Sequence, residues 1–163
     1  TYIRRGIPAP MQELADEIWQ DIRLLATPTI TSVSTTSSIG FLHIRRGDSI
    51  SRCNTTLPKL QRYLACSLHG LPPTVLLLAS DETDPVYRAS IPSLLKILGG
   101  HAMIDLDALI WDRVQQLENH ALRNNFYVYG IESLLKTAYV DFVLQQRQRH
   151  DCLDCQDIQA MLG

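Results

Sequence analysis

The chain has 163 residues, 45% of them apolar and 20% charged, with a formal net charge of −2 and a sequence pI near 6.2. At roughly 100–200 residues per domain there is length for one core and none for a second large domain, and the apolar fraction is that of a folded chain. The nearly balanced charge excludes a sequence-independent nucleic-acid binder, which needs an excess of Lys and Arg to neutralise phosphates.

From Met11, the residues Met11, Leu14, Ala15, Ile18, Trp19, Ile22 and Leu25 recur at the spacing of one helical face, with Glu13, Asp16, Glu17 and Asp21 between them. An amphipathic helix is expected there, followed by a polar Thr/Ser-rich linker from Thr27 to Ser38. Ile39-Gly40-Phe41-Leu42-His43-Ile44 reads as a buried strand running into Arg45-Arg46-Gly47-Asp48. Leu57, Leu60, Leu64 and Leu68 form a second helical stripe, stopped by Gly70 and Pro72-Pro73. Thr74 to Ala79 is the second strand; its apolar run has strand length and falls far short of the roughly 18 residues of a membrane span, so no transmembrane segment is expected in this chain.

Ser80-Asp81-Glu82 ends that strand, and Val86, Tyr87, Ile91, Leu94, Leu95 and Leu98 continue on helical spacing, with a restart at Pro92 and a stop at Gly99-Gly100. His101 to Ile104 makes a short third strand and Leu106, Leu109, Ile110, Val114 and Leu117 a short helix. Asn125 to Tyr129 reads as a fourth strand, and Ile131, Leu134, Leu135, Ala138, Tyr139, Phe142 and Val143 as a last helix. Trp19 and Trp111 are expected to pack helices on the sheet, and His69, His101, His120 and His150 to lie on the surface or in loops.

Strands alternating with helices imply βαβ units, hence a Rossmann-like three-layer α/β/α arrangement on a parallel sheet. The organisation expected is an amino-terminal helix and linker over 1–38, the Rossmann-like domain over 39–150 and a Cys-x-x-Cys tail over 151–163. Ligands of such sheets sit beyond the carboxyl ends of the strands. That directs attention to Arg45 to Asp48, Ser80 to Glu82, Asp105 to Asp107 and Gly130 to Ser133. Neither a Gly-x-Gly-x-x-Gly fingerprint nor a Walker sequence is present, which removes ordinary dinucleotide and P-loop chemistry. Paired arginines at a sheet mouth suit a diphosphate, because each guanidinium presents a planar fork of donors and keeps its charge at neutral pH.

Cys53, Cys66, Cys152 and Cys155 are an even but sparse set, and Asn54-Thr55-Thr56 is an N-glycosylation acceptor pattern; both point to a secretory compartment. A Cys53–Cys66 loop and a Cys152–Cys155 bridge are the expected pairings. A zinc or thioredoxin-like role for Cys152-Leu-Asp-Cys155 would need a second ligand pair or a strand before it. The chain opens at Thr1 with neither an initiator Met nor a signal-peptide pattern and is read as an excerpt of a longer protein.

His43-Ile44-Arg45-Arg46-Gly47-Asp48 resembles the His-x-Arg-Arg-Gly-Asp motif of the GDP-fucose-dependent fucosyltransferases: the α1,2 and α1,6 enzymes and, more loosely, the protein O-fucosyltransferases. Ala79-Ser80-Asp81-Glu82 is similar to that family's Ser/Thr-Asp-Asp/Glu segment. Asp105 stands in the place of an acidic residue, and Tyr129-Gly130-Ile131-Glu132-Ser133 looks like the segment ending in Ser. The resemblance runs from about Ile39 to Gln148, with the first motif its specific part.

The resemblance implies one half of a GT-B fold, the carboxyl-terminal domain that binds the nucleotide sugar, with an amino-terminal half elsewhere. By position, Arg45 would contact the β-phosphate of GDP and serve catalysis, and Arg46 would reinforce the loop or the phosphate field. His43 and Asp105 would address the guanine, Asp81 would order the cleft side of the second strand, and Ser133 would bond the diphosphate from a helix start. GDP-fucose is the implied donor, a glycan or protein the acceptor, inversion the stereochemical outcome, and the Golgi or ER lumen the location. Neither a cofactor nor a metal is implied, since arginines and backbone N–H groups carry the phosphate charge.

The sequence also departs from that family. In the α1,6 enzymes a Glu five positions beyond the motif's Asp is the general base; the ungapped position here is Cys53, which leaves Asp48 as the substitute or as a brace for the arginines. Ser49 replaces a Lys, and Glu132 stands where a small residue is usual. The alternative is a non-catalytic or degenerate GDP-sugar-binding domain. An adhesion role for Arg46-Gly47-Asp48 would require display that a sheet mouth does not give.

Overall fold

The computed structural model describes residues 9–30, 39–44, 46, 56–116, 140 and 142–146. Four helices and four strands are found among them: α1 (Ala9–Ile30), β1 (Ile39–Ile44), α2 (Leu57–Ser67), β2 (Val75–Ser80), α3 (Pro85–Ile97), β3 (Ala102–Asp105), α4 (Leu106–Gln115) and β4 (Phe142–Gln146). The sheet order is β3-β2-β1-β4. Every neighbouring pair is parallel, with Ile44 beside Ser80 and Gln146, and Leu78 beside Asp105.

Parallel strands need both faces covered, which is why Val75 to Ala79 is an unbroken apolar run with every residue buried. Alternation divides the side chains between two layers. Phe41, Leu77 and Ala79 meet Leu14, Ile18, Trp19 and Ile22 of α1 and Leu106, Ile110 and Val114 of α4. On the other face, Leu42, Ile44, Leu76 and Leu78 meet Leu60 and Leu64 of α2 and Tyr87, Ile91 and Leu95 of α3. The fold is therefore a Rossmann-like three-layer α/β/α sandwich. At about 1.5–3 kcal/mol for each large apolar side chain removed from water, these two layers are its main stabilising term. Its helix α1 is fastened to α4 by Arg113, whose Nε and Nη2 each donate to Asp21 at 2.6 Å. Asp21's hydrogen bond raises the Arg113 pKa above its ordinary value.

Several expectations need correction. The expected last helix claimed Phe142 and Val143, but both lie in β4, paired to Gly40 and Phe41. A short apolar run satisfies either period, and the unpaired side of β1 supplies the backbone partners that decide for strand. The rest of that helix, and the expected strand Asn125 to Tyr129, lie outside the described residues. The polar linker begins later than Thr27, because α1 continues to Ile30. Leu25 and Val86, counted in apolar stripes, are exposed, as is Trp111, which does not pack in the core. Helix α3 passes through Pro92 without restarting. No helix among the described residues is long and apolar enough to cross a membrane.

His101, expected on the surface or in a loop, lies in the loop between α3 and β3 but is buried there. Gly99 and Gly100, with φ of 148° and 71°, reverse the chain after α3 so that the Gly100 and His101 N–H groups return to the Lys96 and Leu95 carbonyls. A Cβ on Gly99 would stand 2.8 Å from His101 Nε2, so glycine is required for space as well as for its φ. Nδ1 of His101 accepts the Thr74 N–H at 3.1 Å, while Ala102 donates to the Thr74 carbonyl at 2.9 Å, registering β3 against β2 at their amino ends.

Burial lowers the His101 pKa below 6.5. As the pH falls through 6.5 the unfolded chain therefore takes up this proton first, and stability declines towards the lower folded pKa. Urea unfolding midpoints should fall as the pH is lowered below 6.5, and His101→Asn should flatten that slope. An equal slope in the variant would assign the acid sensitivity elsewhere.

Candidate functional site

The strand order places a topological switch between β1 and β4: the chain moves from β1 outward to β2 and β3, then returns to the opposite side of β1. A crevice forms at such a point beyond the carboxyl ends of the strands. The arginine loop leaves β1 at that end, and the Ser80-Asp81-Glu82 segment leaves β2 beside it.

Of the arginine loop, Arg46 is described; Arg45, Gly47 and Asp48 lie outside the described residues, as do Cys53 and Ser133. The Arg46 N–H donates to Asp81 Oδ1 at 2.5 Å. Its guanidinium pairs with Glu82 at 3.1 Å and stands 3.8 Å over the ring of Tyr87. Both charged side chains are largely buried, at 14% and 13% exposure, and among the described residues Arg46 Nε has no hydrogen-bond partner. Arg46 thus points to the α2/α3 side, continuing the parity of Leu42 and Ile44. Burial raises the Tyr87 phenol to about 12, so it stays neutral under the cation. His43 has the opposite parity: half-buried, it lies with its ring centroid 6.1 Å from that of Phe41.

Asp105 is the last residue of β3 and the N-cap of α4, one oxygen accepting the Ala108 N–H at 3.1 Å. Its other oxygen takes Arg88 Nη2 at 2.8 Å. Arg88 Nη2 also lies 3.5 Å from Asp107, and Nη1 donates to the carbonyls of Ser80 and Glu82 at 3.2 and 3.1 Å. Asp107 in turn accepts the Ser80 N–H at 2.8 Å. Burial acts to lower the Arg88 pKa, but the Asp105 and Asp107 carboxylates outweigh it and the net shift is upward. One guanidinium joins the exits of β2 and β3.

Sequence reasoning brought out His43, Arg46, Asp81 and Asp105, which all lie at the carboxyl end of the sheet, and pointed to the stretch that holds Asp107; it missed Tyr87 and Arg88. A usable signal existed for Arg88. Asp84-Pro85 opens α3, with Asp84 accepting the Val86 N–H, and a cation in the first turn is unfavourable against the helix dipole unless acids compensate it. Helical side chains also lean toward the amino end, here the exit of β2.

Among the described residues no group of three or more His, Cys, Asp or Glu is arranged to hold a metal ion. Cys66 is disulfide-bonded, with its partner outside the described residues.

A double-mutant cycle of Arg46→Met with Tyr87→Leu should give a coupling of about 0.5–2 kcal/mol in urea unfolding, the range of partly desolvated cation–π pairs. Additive effects would show that the stacked pair contributes nothing. No protein-family model matches the sequence, and neither a curated protein nor a solved structure matches it.

Proposed function

We propose that the chain is the nucleotide-sugar-binding half of a fucosyltransferase-like enzyme of GT-B architecture, which binds GDP-fucose and transfers fucose with inversion to a glycan or protein acceptor. One observation carries this reading. The two sequence segments that most resemble that family are neighbours at the carboxyl edge, joined by the Arg46 contacts to Asp81 and Glu82, and they lie beside the switch point where such sheets bind ligands.

In this reading Arg46, engaged with Glu82 and Tyr87, braces the loop, and Arg45 meets the β-phosphate. As the fucosyl–phosphate bond breaks, negative charge gathers on that phosphate and the sugar becomes oxocarbenium-like. Donors fixed at the phosphate then stabilise the transition state more than the ground state. Arginine can carry this charge without a metal. His43 and Asp105 address the guanine, Ser133 the diphosphate, and Asp48 is the remaining carboxylate of the motif for a base. The Cys66 disulfide supports an oxidising compartment, the Golgi or ER lumen.

Cys53 at the position of the base in the α1,6 enzymes favours a second reading, a GDP-sugar-binding domain without catalysis.

Calorimetry with GDP, GDP-fucose and UDP tests the binding. Both guanine nucleotides should bind and UDP should not, and Arg45→Ala should weaken GDP by at least tenfold, the loss expected for a charge-assisted phosphate contact of about 1.5–3 kcal/mol. A folded chain that binds none of the three defeats both readings. Fucose turnover with acceptor glycans or peptides separates the two.

A further inference from the structure

We propose that Arg88 is the positioning residue for nucleotide selectivity: it holds the Asp105 carboxylate in the orientation that a base with two adjacent N–H donors requires. The proposal rests on the guanine-nucleotide reading above. Adjacent parallel strands are about 4.8 Å apart, so the exit of β3 lies about 10 Å across the sheet from that of β1. A nucleoside diphosphate with its phosphates at β1 covers that span and brings its base to β3.

Asp105 is suited to meet the base. Its side chain remains 34% exposed, and each oxygen uses one interaction internally, to the Ala108 N–H and to Arg88. A carboxylate has about four lone-pair sites, so both oxygens retain capacity for a planar pair of donors, such as N1–H and the 2-amino group of guanine. Free rotation about χ2 would cost such a bidentate contact its geometry. Arg88 removes that freedom together with the Ala108 N–H, by holding the second oxygen, and it is itself fixed by the Ser80 and Glu82 carbonyls.

Charge gives Arg88 a second reason to be there. Asp81, Glu82, Asp84, Asp105 and Asp107 crowd the exits of β2 and β3, and an uncompensated acidic edge would repel a diphosphate. Arg88 touches Asp105 and Asp107, leaving Asp105 usable as an acceptor while offsetting its charge.

GDP and IDP differ by the 2-amino group alone, so their affinity ratio reports the base contact and not the fold. With the full chain in titration calorimetry, GDP should bind at least tenfold more tightly than IDP. Arg88→Gln should bring the ratio to within threefold of unity while IDP affinity changes less than the GDP affinity. Arg88→Lys, which keeps the charge but loses the fork, should lie between. Urea unfolding of each variant verifies the fold; if the Gln variant is unfolded, the Lys variant decides, its ratio falling at least threefold or the proposal failing. Equal weakening of both nucleotides, or an unchanged ratio, would overturn the Arg88 role while leaving the guanine-nucleotide reading intact, as would a wild-type chain that binds GDP and IDP alike. A wild-type chain that binds neither nucleotide defeats the underlying reading itself.

Discussion

Strand β1 is held on both sides, by β2 in register from Ile39 to Ile44 and by β4 from Gly40 to Ile44, with a helical layer over each of its faces. A strand so enclosed has no freedom to slip, since a shift of one residue would exchange Phe41 and Leu42 between layers that differ in shape. Arg46, two residues beyond the end of β1, therefore enters the carboxyl edge at a fixed place. Arg46 needs no flexible loop to find Glu82 and Tyr87, because its parity and position are inherited from Leu42 and Ile44.

The same enclosure explains how the edge tolerates so much charge. Ion pairs on an open surface contribute little, and desolvated ones are stabilising only when their remaining donors and acceptors are met. Arg88 meets this condition with backbone carbonyls as well as carboxylates, which turns neighbouring strand exits into one bonded unit. Arg46 meets it less completely: it has a carboxylate and an aromatic face, while its Nε is buried without a partner among the described residues. The two arginines thus differ in kind, Arg88 being anchored by backbone and Arg46 by side chains.

Much of the fold was legible because the apolar periods were long or unambiguous. The Leu60 and Leu64 stripe and the face from Met11 to Ile22 are buried as their spacing requires, and the run Val75 to Ala79 is marked as a strand by its length and by the Pro72-Pro73 pair before it. Phe142 and Val143 were misassigned because a short apolar segment carries both periods, and only its pairing with β1 decides. The burial of His101 in its loop was not legible for another reason: its partner is the backbone of Thr74, and a side-chain-to-backbone bond across 27 residues leaves no pattern in the sequence. At the site, strand ends were visible from the motifs, whereas Arg88 and Tyr87 belong to the first turn of α3 and reach the edge because helical side chains lean toward the amino end, beside the exit of β2.

The division of labour between the sheet's two ends follows from these contacts. At the amino end His101 joins Thr74 in a buried, neutral hydrogen bond whose breakage costs register. At the carboxyl end the links between strands are made by charged side chains that remain partly open to water. A neutral buried link cannot exchange its partners for a ligand without leaving a polar group unsatisfied. A partly exposed carboxylate such as Asp105 can, since its retained lone pairs accept new donors without releasing Arg88 or Ala108. Among the described residues, the contacts able to take on a new partner therefore gather at the carboxyl end, because of the kind of bond used there.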